Sequence, residues 1–295
     1  MRLLVTGAGG QLGHVVVTNA RAAGDEVLGL DHAALDVTDR DAVLGVITQW
    51  RPDAVVHTAA WTAVDACESD PARAFASNGL AVRWTAEACD RVGAHLVYVS
   101  TDYVFDGELD RPYHEWDVAN PQSVYGASKL AGEREAQALG AGAAVVRTSW
   151  VSGQHGANMV RTILGLLDTP PDGVDADAEG RLAFVDDQRG HPTFAADLAP
   201  VVRRLAVERR SGVHHVTNQG AVSWFEFAQA VAVAAERPPA IVRPIPTAEL
   251  DPPRPAPRPA NSVLANTVLP AAGIPLLRDF REPLTELVTA LRTSS

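Results

Sequence analysis

The chain of 295 residues is poor in cysteine and in long apolar runs. Its two cysteines, Cys67 and Cys89, are too few for a disulfide framework and are not spaced as zinc ligands, which suits a reducing compartment. No uninterrupted apolar run reaches the roughly 18 residues that a membrane helix needs. The opening MRLLVTGAGG lacks the charged and apolar regions of a signal peptide. We therefore expect a cytoplasmic protein that does not act in a membrane.

Positive charge is also scarce. The chain has 25 basic and 36 acidic residues, a formal net charge of −11, and Lys129 is its single lysine. This charge has the wrong sign for a protein that binds nucleic-acid phosphates. A hydrophobic share of 46% and a charged share of 21% are typical of an ordinary globular protein.

The first half of the chain alternates strand-like and helix-like segments. This rhythm predicts βαβ units with right-handed crossovers, and so an α/β Rossmann fold with a doubly wound parallel sheet. The predicted strands are Arg2–Thr6, Glu26–Leu30, Ala54–His57, His95–Val99 and Ala143–Arg147. The predicted helices are Gln11–Ala23, Asp39–Trp50, Pro71–Arg91 and Tyr125–Leu139.

The rhythm breaks after Trp150. Loops rich in Asp and Gly surround 168–180, and nine of the 20 prolines lie between Arg237 and Pro259. Such a stretch cannot form a continuous helix or a central strand, so it is either a passive surface loop or an ordered loop that covers a substrate. Helical patterns return at Ser223–Ala235 and Phe280–Leu291.

These patterns predict two unequal parts. Residues 1–150, with roughly 192–232, are expected to form a dinucleotide-binding domain. Residues 151–191 and roughly 233–295 are expected to form a smaller C-terminal part that binds the substrate.

A glycine-rich turn joins the first predicted strand to the first helix. Gly7, Gly10 and Gly13 form the pattern G-x-x-G-x-x-G within Thr6–Gly13. Glycines allow a tight turn and a close approach of backbone N–H groups to a pyrophosphate, and the following helix N-terminus favours the anion. The position between strand and helix predicts a nicotinamide dinucleotide site.

The choice between NADH and NADPH depends on the end of the second strand. Asp31 can accept hydrogen bonds from the adenosine ribose, and its charge opposes a 2′-phosphate, which favours NADH. An aspartate can also rotate away, so NADPH stays open. Asp36, followed by Val37, can either contact the adenine edge or cap the helix that begins near Thr38–Asp41.

A proton-transfer set is predicted from Tyr125 and Lys129, which form Tyr-x-x-x-Lys. Residues four apart share one face of a helix, so both side chains can point into one cleft. Reduction of a carbonyl needs a proton, and a nearby ammonium is expected to lower the tyrosine pKa from about 10 towards neutrality. Thr101 follows the strand His95–Val99, at an edge where ligands bind in such sheets, and can orient the substrate oxygen.

The sequence resembles the extended short-chain dehydrogenases, and within them the dTDP-4-dehydrorhamnose reductases. The resemblance covers nearly the whole chain, and the motifs STDYVFDG and YGxSKLxGE are its most specific parts. The matching segments are TGAGGQLG at 6–13, LDVTD at 35–39, AAWTAVDACE at 59–68, VSTDYVFDG at 99–107, PQSVYGASKLAGE at 121–133, RTSWV at 147–151, GHPTFAADLA at 190–199, GVHHVTNQGAVSWFEFA at 212–228, RPANSVL at 258–264 and LRDFREPL at 277–284.

The resemblance implies a reductase that delivers hydride from NADH or NADPH to the C4 ketone of dTDP-4-dehydro-β-L-rhamnose and so yields dTDP-L-rhamnose. The runner-up functions are a reductase of a different dTDP-4-keto-6-deoxysugar and a non-catalytic relative. The resemblance implies that Tyr125 is the proton donor, that Lys129 supports it and that Thr101 orients the substrate. It implies that the cofactor is bound by Gly7, Gly10, Gln11 and Leu12 at the pyrophosphate, by Asp31, Asp36 and Val37 near the adenosine, and by Ala60, Trp61 and Thr62 beside it. The sugar nucleotide is expected to contact Thr101, Asp102 and Trp150.

Three further expectations rest on the resemblance. Asn78 matches a backbone-holding asparagine near the active site, and Arg258 is a candidate for the substrate diphosphate. Val15 stands where some relatives carry a glutamate that joins a metal between two subunits. Since neither the adjacent His214 and His215 nor the cysteines offer another ligand set, we expect no metal, and a monomer or a homodimer that no metal bridges.

Overall fold

The computed structural model describes residues 1–138, 142–168 and 181–293. The strands are β1 (Arg2–Thr6), β2 (Glu26–Leu30), β3 (Ala54–His57), β4 (His95–Thr101), β5 (Ala143–Thr148), β6 (Val151–Ser152), β7 (Leu182–Val185), β8 (Arg189–Gly190), β9 (Thr193–Phe194), β10 (Gly212–His215), β11 (Val222–Ser223) and β12 (Val242–Ile245). The helices are α1 (Gln11–Ala22), α2 (Arg40–Trp50), α3 (Val64–Ser69), α4 (Pro71–Phe75), α5 (Ala81–Val92), α6 (Val124–Gln137), α7 (Met159–Asp168), α8 (Ala195–Val207), α9 (Trp224–Ala234), α10 (Val268–Ala271) and α11 (Arg281–Thr293). Of the loops predicted around 168–180, residues 169–180 lie outside this description.

A six-stranded sheet forms the centre, in the order β10-β5-β4-β3-β1-β2. All of its neighbouring strands are parallel. The chain runs outward from β1 to β2 and then returns to the other side of β1 at β3. Ligands bind at the carboxyl ends of strands beside such a reversal. The predicted α/β Rossmann fold is confirmed.

Helices cover both faces of this sheet, which explains why its strands are apolar on both sides. The alternation of strand side chains decides which face each residue joins. Val5 and Val56 pack with α1 and α8, whereas Leu4 and Val55 pack with α2 and α5. A third apolar cluster, built around Phe227, joins α7, α9 and α11 to β7 and β12.

The proline-rich stretch is ordered where it meets this third cluster. Its strand β12 includes Pro244 and pairs in parallel with β7 in a separate two-stranded sheet. Proline is tolerated there because each strand of a two-stranded sheet is an edge. Further on, the Ala256 N–H donates to Asp65 Oδ1 over 3.1 Å. The stretch is therefore neither a continuous helix nor a central strand, as predicted, and although most of its residues are exposed, part of it is paired and buried.

The predicted helix Pro71–Arg91 is divided. A π-helical segment, Ala76–Leu80, separates α4 from α5. Asn78 lies in this segment and is fully buried. π-helical insertions inside helices are rare and occur frequently at functional sites.

Candidate active site

A cleft of about 430 Å³ opens at the carboxyl ends of the central strands. It receives residues from the turn after β1, the loop after β3, the ends of β4 and β5, and helix α6. The predicted site residues that line it are Gly10, Gln11, Leu12, Ala60, Thr62, Thr101, Asp102, Tyr125, Lys129 and Trp150. Gly7, Asp31, Asp36, Val37 and Trp61 are not among its lining residues.

The glycine turn has the form of an anion cradle. Gly7 has a φ of +70°, and a Cβ there would lie 2.7 Å from the Ala59 amide nitrogen. The Gly10 N–H donates to the Gly7 carbonyl over 2.9 Å. Gly10 caps α1 without a side-chain hydrogen bond, and the first turn of α1 has no acidic residue. The first N–H groups of the helix are thus open to an anion, and these residues fit a dinucleotide pyrophosphate.

The next two residues contribute differently. Leu12 is buried in the core cluster beneath α1, so only its backbone is available to a ligand. Gln11 donates from Nε2 to the Ala157 carbonyl over 2.8 Å. This side chain joins the glycine turn to the loop that precedes α7.

The residues predicted near the adenosine follow β2. Asp31 Oδ1 accepts the Ala34 N–H at 2.9 Å. Asp36 Oδ1 accepts the N–H and the hydroxyl of Thr38 at 2.9 and 2.7 Å, and these bonds lower the pKa of Asp36. The N-cap of α2 is Asp39, so the alternative interpretation of Asp36 as the helix cap is wrong. The Val37 side chain packs in the core under α2.

Asn78 holds the loop after β3 against α6. Its amide accepts the Trp61 N–H at 2.8 Å and donates to the Trp61 carbonyl at 3.1 Å. The same amide donates to Ser128 Oγ on α6 at 3.0 Å. These bonds are those of a backbone-holding asparagine. They fix the backbone of Trp61, whose ring lies under the Arg73 guanidinium at 4.4 Å rather than in the cleft lining.

Tyr125 and Thr101 meet inside the cleft. Tyr125 is 8% exposed, and burial raises the pKa of its phenol, while a hydrogen bond with Thr101 partly offsets this rise. The predicted shift of this pKa towards neutrality is therefore wrong for the protein alone. The physical reason is that desolvation of the phenolate outweighs the other effects.

Lys129 lies deeper than a cleft-surface ammonium would. It is 2% exposed, its Nζ donates to the Val99 carbonyl at 2.7 Å, and it lies 4.2 Å from the centre of the Tyr98 ring. Burial lowers the pKa of Lys129 to about 7, and the Glu133 carboxylate one turn along α6 opposes this shift. The amine can therefore change its charge near neutral pH.

A buried ion pair supports this wall of the cleft, and the sequence analysis missed it. Arg147 donates to Glu133 through Nε at 2.9 Å and Nη2 at 2.7 Å. Ser100 Oγ donates to the same carboxylate at 2.6 Å. The pair joins β5 to α6 directly behind Lys129. Glu133 stands four residues after Lys129, so helix spacing could have placed Glu133 beside Lys129, but it could not have revealed Arg147 as the partner of Glu133.

Asp102 follows Thr101 and is almost fully buried. Its Oδ1 accepts the Thr101 hydroxyl at 3.0 Å, and its Oδ2 has no hydrogen-bond partner in the described residues. Burial raises the pKa of Asp102 to about 6. A carboxyl group in this state is partly protonated near neutral pH and can then donate a hydrogen bond.

Trp150 is half-buried and follows β5 with a φ of +47°. Its indole stacks on that of Trp224, with ring centroids 3.6 Å apart and an interplanar angle of 12°. Both rings line the cleft. Trp150 therefore faces the cleft as well as packing against a neighbour.

Several other lining residues escaped the sequence analysis. Ser100, Tyr103 and Ser149 lie inside the quoted motifs next to predicted residues, which was a usable signal. Trp224 also lies inside a matching segment, 212–228, but no residue beside it was predicted to be in the site, and the capping box at Ser223 marks the start of α9 without giving the direction of its first side chain. The missed lining residues are Thr58, Val64, Val99, Ser100, Tyr103, Thr148, Ser149, Val151 and Trp224.

Arg258 is already engaged by a carboxylate. Its guanidinium contacts both oxygens of Asp65, with Nη2 to Oδ2 at 2.6 Å, and its side chain is 8% exposed. The bonds from Arg258 lower the pKa of Asp65. A substrate diphosphate would therefore compete with Asp65 for this guanidinium.

The described residues contain no group of three His, Cys, Asp or Glu side chains placed to hold a metal ion. His214 and His215 are buried in β10. None of the helices in the described part of the chain is long and apolar enough to cross a membrane.

Comparison with known proteins places the chain in a family. The model of the RmlD substrate binding domain family matches residues 1–293. The chain belongs to this family. Within the RmlD family, it is 42% identical to a Streptomyces griseus protein named dTDP-4-dehydrorhamnose reductase, over 98% of this chain and 94% of that one.

Two further proteins that are similar to this chain have names that mention a substrate or a cofactor. The chain is 40% identical to a probable dTDP-4,6-dihydroxy-2-methyloxan-3-one 4-ketoreductase of Streptomyces antibioticus, over 97% of this chain and 94% of the relative. A crystal structure of the Bacillus anthracis dTDP-4-dehydrorhamnose reductase in complex with NADP superposes with a TM-score of 0.88 at 33% identity, covering 98% of this chain and 99% of that one.

Proposed function

We propose that the protein reduces the C4 ketone of dTDP-4-dehydro-β-L-rhamnose to dTDP-L-rhamnose with NADH or NADPH. The observation that carries the proposal is the meeting of Thr101, Tyr125 and Lys129 in one cleft that begins at the glycine turn. The names of the relatives support the same reaction.

The bound dinucleotide supplies the hydride that C4 receives. Tyr125 donates its phenol proton to the ketone oxygen, because burial keeps this phenol protonated at neutral pH. Thr101, which is hydrogen-bonded to Tyr125, orients the same oxygen. The Lys129 ammonium favours the departure of the Tyr125 proton by stabilising the negative charge that develops on the phenol.

The remaining site residues are assigned by position. We propose that Gly7, Gly10, Gln11 and Leu12 surround the pyrophosphate, and that Ala60, Trp61 and Thr62 follow beside it. Asp31, Asp36 and Val37 would border the adenosine, while Asp102 and Trp150 would contact the sugar nucleotide. The bonds of Asp31 and Asp36 leave the second oxygen of each carboxylate for this role.

We also propose the two-part division given above, with residues 1–150 and roughly 192–232 as the dinucleotide-binding domain. The placement of β10 in the central sheet and of α8 against it supports the inclusion of residues 192 to about 215 in this domain. Helix α9 packs instead in the third apolar cluster. For the assembly and location, we propose a cytoplasmic monomer or homodimer without a metal bridge.

A second candidate is the reduction of another dTDP-4-keto-6-deoxysugar. The similarity to the Streptomyces antibioticus relative favours it, because that protein's name describes a different sugar and the identity is nearly the same. A non-catalytic role is disfavoured, since a chain without chemistry would have no reason to bring Thr101, Tyr125 and Lys129 together.

The test measures the oxidation of NADH and of NADPH by the purified protein. It is run with dTDP-4-dehydro-β-L-rhamnose and, separately, with another dTDP-4-keto-6-deoxysugar. We expect turnover with dTDP-4-dehydro-β-L-rhamnose and almost none for Tyr125→Phe, which lacks only the donated proton. Faster turnover of the other sugar would select the second candidate. No turnover of either sugar, with dinucleotide bound, would contradict both reductase proposals.

A further inference from the structure

Trp224 lies between two cavities. Its indole lines the cleft, and it also lines a second cavity of about 180 Å³ between α7, β7 and the proline-rich stretch. Phe184, Met159 and Leu166 give this second cavity an apolar lining, and among the described residues that line it Arg254 alone is charged. The Trp224 ring is therefore the wall that the two spaces share.

Trp224 also fixes the ring of Trp150. A left-handed backbone conformation is costly for a bulky residue and persists only where its surroundings hold it. Trp150 adopts it at a φ of +47°, and the Trp224 indole covers its ring at 3.6 Å. A Cβ at Gly190 would lie only 2.8 Å from the Trp150 indole, so the absence of a side chain at Gly190 allows the ring to occupy this position.

Phe227 completes the support. It lies 6.0 Å from Trp224 at 66° and 6.2 Å from Trp150 at 55°. Phe227 is fully buried in the third apolar cluster and cannot move away. Edge-to-face contacts of this kind restrain ring orientation. The position of the Trp150 ring is thus set by residues of α9 and not by the sheet that it follows.

We infer that Trp224 is a specificity-determining residue: it positions Trp150 against the sugar ring and closes the cleft towards the second cavity, so that only compact sugars bind productively. The inference rests on the proposed function. It adds a size limit on the hexose and names the residue that imposes it.

Two variants separate these contributions. Trp224→Phe keeps an aromatic ring under Trp150, whereas Trp224→Ala removes the stack and joins the two cavities. Trp116→Ala is the control, because Trp116 is 66% exposed and stacks on His114 outside the cleft. The substrates are the dTDP-4-keto sugar that the wild type turns over and a ring-methylated form of it.

For Trp224→Ala, we expect the KM for the compact sugar to rise about tenfold, because a tenfold change corresponds to the loss of one good aromatic contact. We expect its kcat/KM ratio to shift in favour of the methylated sugar and its Kd for NADPH to stay unchanged. Trp224→Phe should restore most of the compact-sugar KM. Far-ultraviolet circular dichroism should lose the exciton signal of the stacked indoles in both Trp224 variants, but not in Trp116→Ala.

An active wild type with unchanged KM and unchanged sugar preference in Trp224→Ala would overturn this inference and leave the proposed function intact. A loss of kcat/KM that is equal for both sugars, with NADPH binding lost as well, would reduce Trp224 to a folding role and also overturn it. If the wild type turned over neither dTDP-4-dehydro-β-L-rhamnose nor another dTDP-4-keto-6-deoxysugar, the proposed function would be overturned, and this inference with it.

Discussion

The cleft has two walls that are held in different ways. Ser100 and Lys129 line the polar wall, Glu133 and Arg147 support it from behind, and short directional hydrogen bonds fix it. The aromatic wall consists of Trp150 and Trp224, and ring stacking fixes it. Hydrogen bonds specify both distance and angle, whereas stacked rings can slide. The comparison indicates that the polar wall serves the chemistry and the aromatic wall serves the choice of sugar.

The ion pair is the strongest part of the polar wall. Glu133→Gln should lower the free energy of unfolding by about 3–5 kcal/mol, because it leaves the Arg147 guanidinium buried without a counter-charge. Urea unfolding measures the loss. Glu208→Gln is the control: its pairs with Arg204 and Arg210 are solvent-exposed and should matter little. Equal urea midpoints for the two variants would show that the buried pair does not brace this wall.

The next expected effect is on turnover. Lys129→Met keeps an unbranched apolar side chain in a buried place, so folding should survive, while kcat should fall by about 10²-fold or more. Because the pKa of Lys129 in the free protein is about 7, wild-type kcat/KM should decrease as its charge is lost above that pH. The kcat/KM of the variant should not show this decrease between pH 6 and 8. If the variant shows the same decrease as the wild type, the role proposed for Lys129 is contradicted.

Truncation of the aromatic wall should reduce the use of the substrate more than the stability of the fold, which is the reverse of the effect expected for the ion pair. Trp150→Ala should reduce kcat/KM for the dTDP-sugar about tenfold while the Kd for NADPH barely changes. Its free energy of unfolding should fall by less than the roughly 3–5 kcal/mol of a fully buried tryptophan, because the ring is half-exposed. Thermal unfolding and dinucleotide titration measure both quantities. A full core-sized loss with unaltered kcat/KM would make Trp150 a packing residue.

The last expected effect is a pH dependence of stability at Asp102. Burial raises its pKa from 3.8 to about 6, so the native state holds a proton that the unfolded chain releases between these values. This stabilisation is present below pH 3.8 and is lost as the pH rises through about 6. The difference between the Tm of Asp102→Asn and that of the wild type should therefore shift in favour of the variant from pH 4 to 6 and then stay constant.

Asp36→Asn is the matched control, because the pKa of Asp36 is lowered by its bonds from Thr38. Its Tm relative to the wild type should instead fall as the pH rises through the acidic range. If Asp102→Asn follows the same course as Asp36→Asn, the Asp102 carboxyl is not held in its neutral form.

The contrast between the walls also explains what the sequence could predict. Strands β1, β2 and β3 were predicted with their observed bounds, because short apolar runs between turn residues specify buried parallel strands. Thr101, Tyr125 and Lys129 were found because polar chemistry needs particular residue types at particular spacings. The Arg147–Glu133 pair joins a strand to a helix, and only the fold brings such partners together.

The two missed helices differ in what the sequence offered. Pro200 obscures α8, whereas α7 has buried apolar residues at helical spacing, Val160, Ile163, Leu164 and Leu167, and could have been predicted. Tertiary burial forms both of them, α8 against the sheet and α7 in the third cluster. The π-helical segment has no periodic signature of its own, yet it places Asn78 on the loop and on α6.

The solitary lysine has a practical consequence. A chain with one lysine, whose amine has a pKa near 7, offers acylating or Schiff-base-forming reagents a single side-chain amine that is partly neutral at physiological pH. Intact-mass spectrometry would then count reaction at the cleft directly, against the α-amino group as the other amine. Protection of that modification by a bound dinucleotide would report cofactor occupancy without any turnover assay.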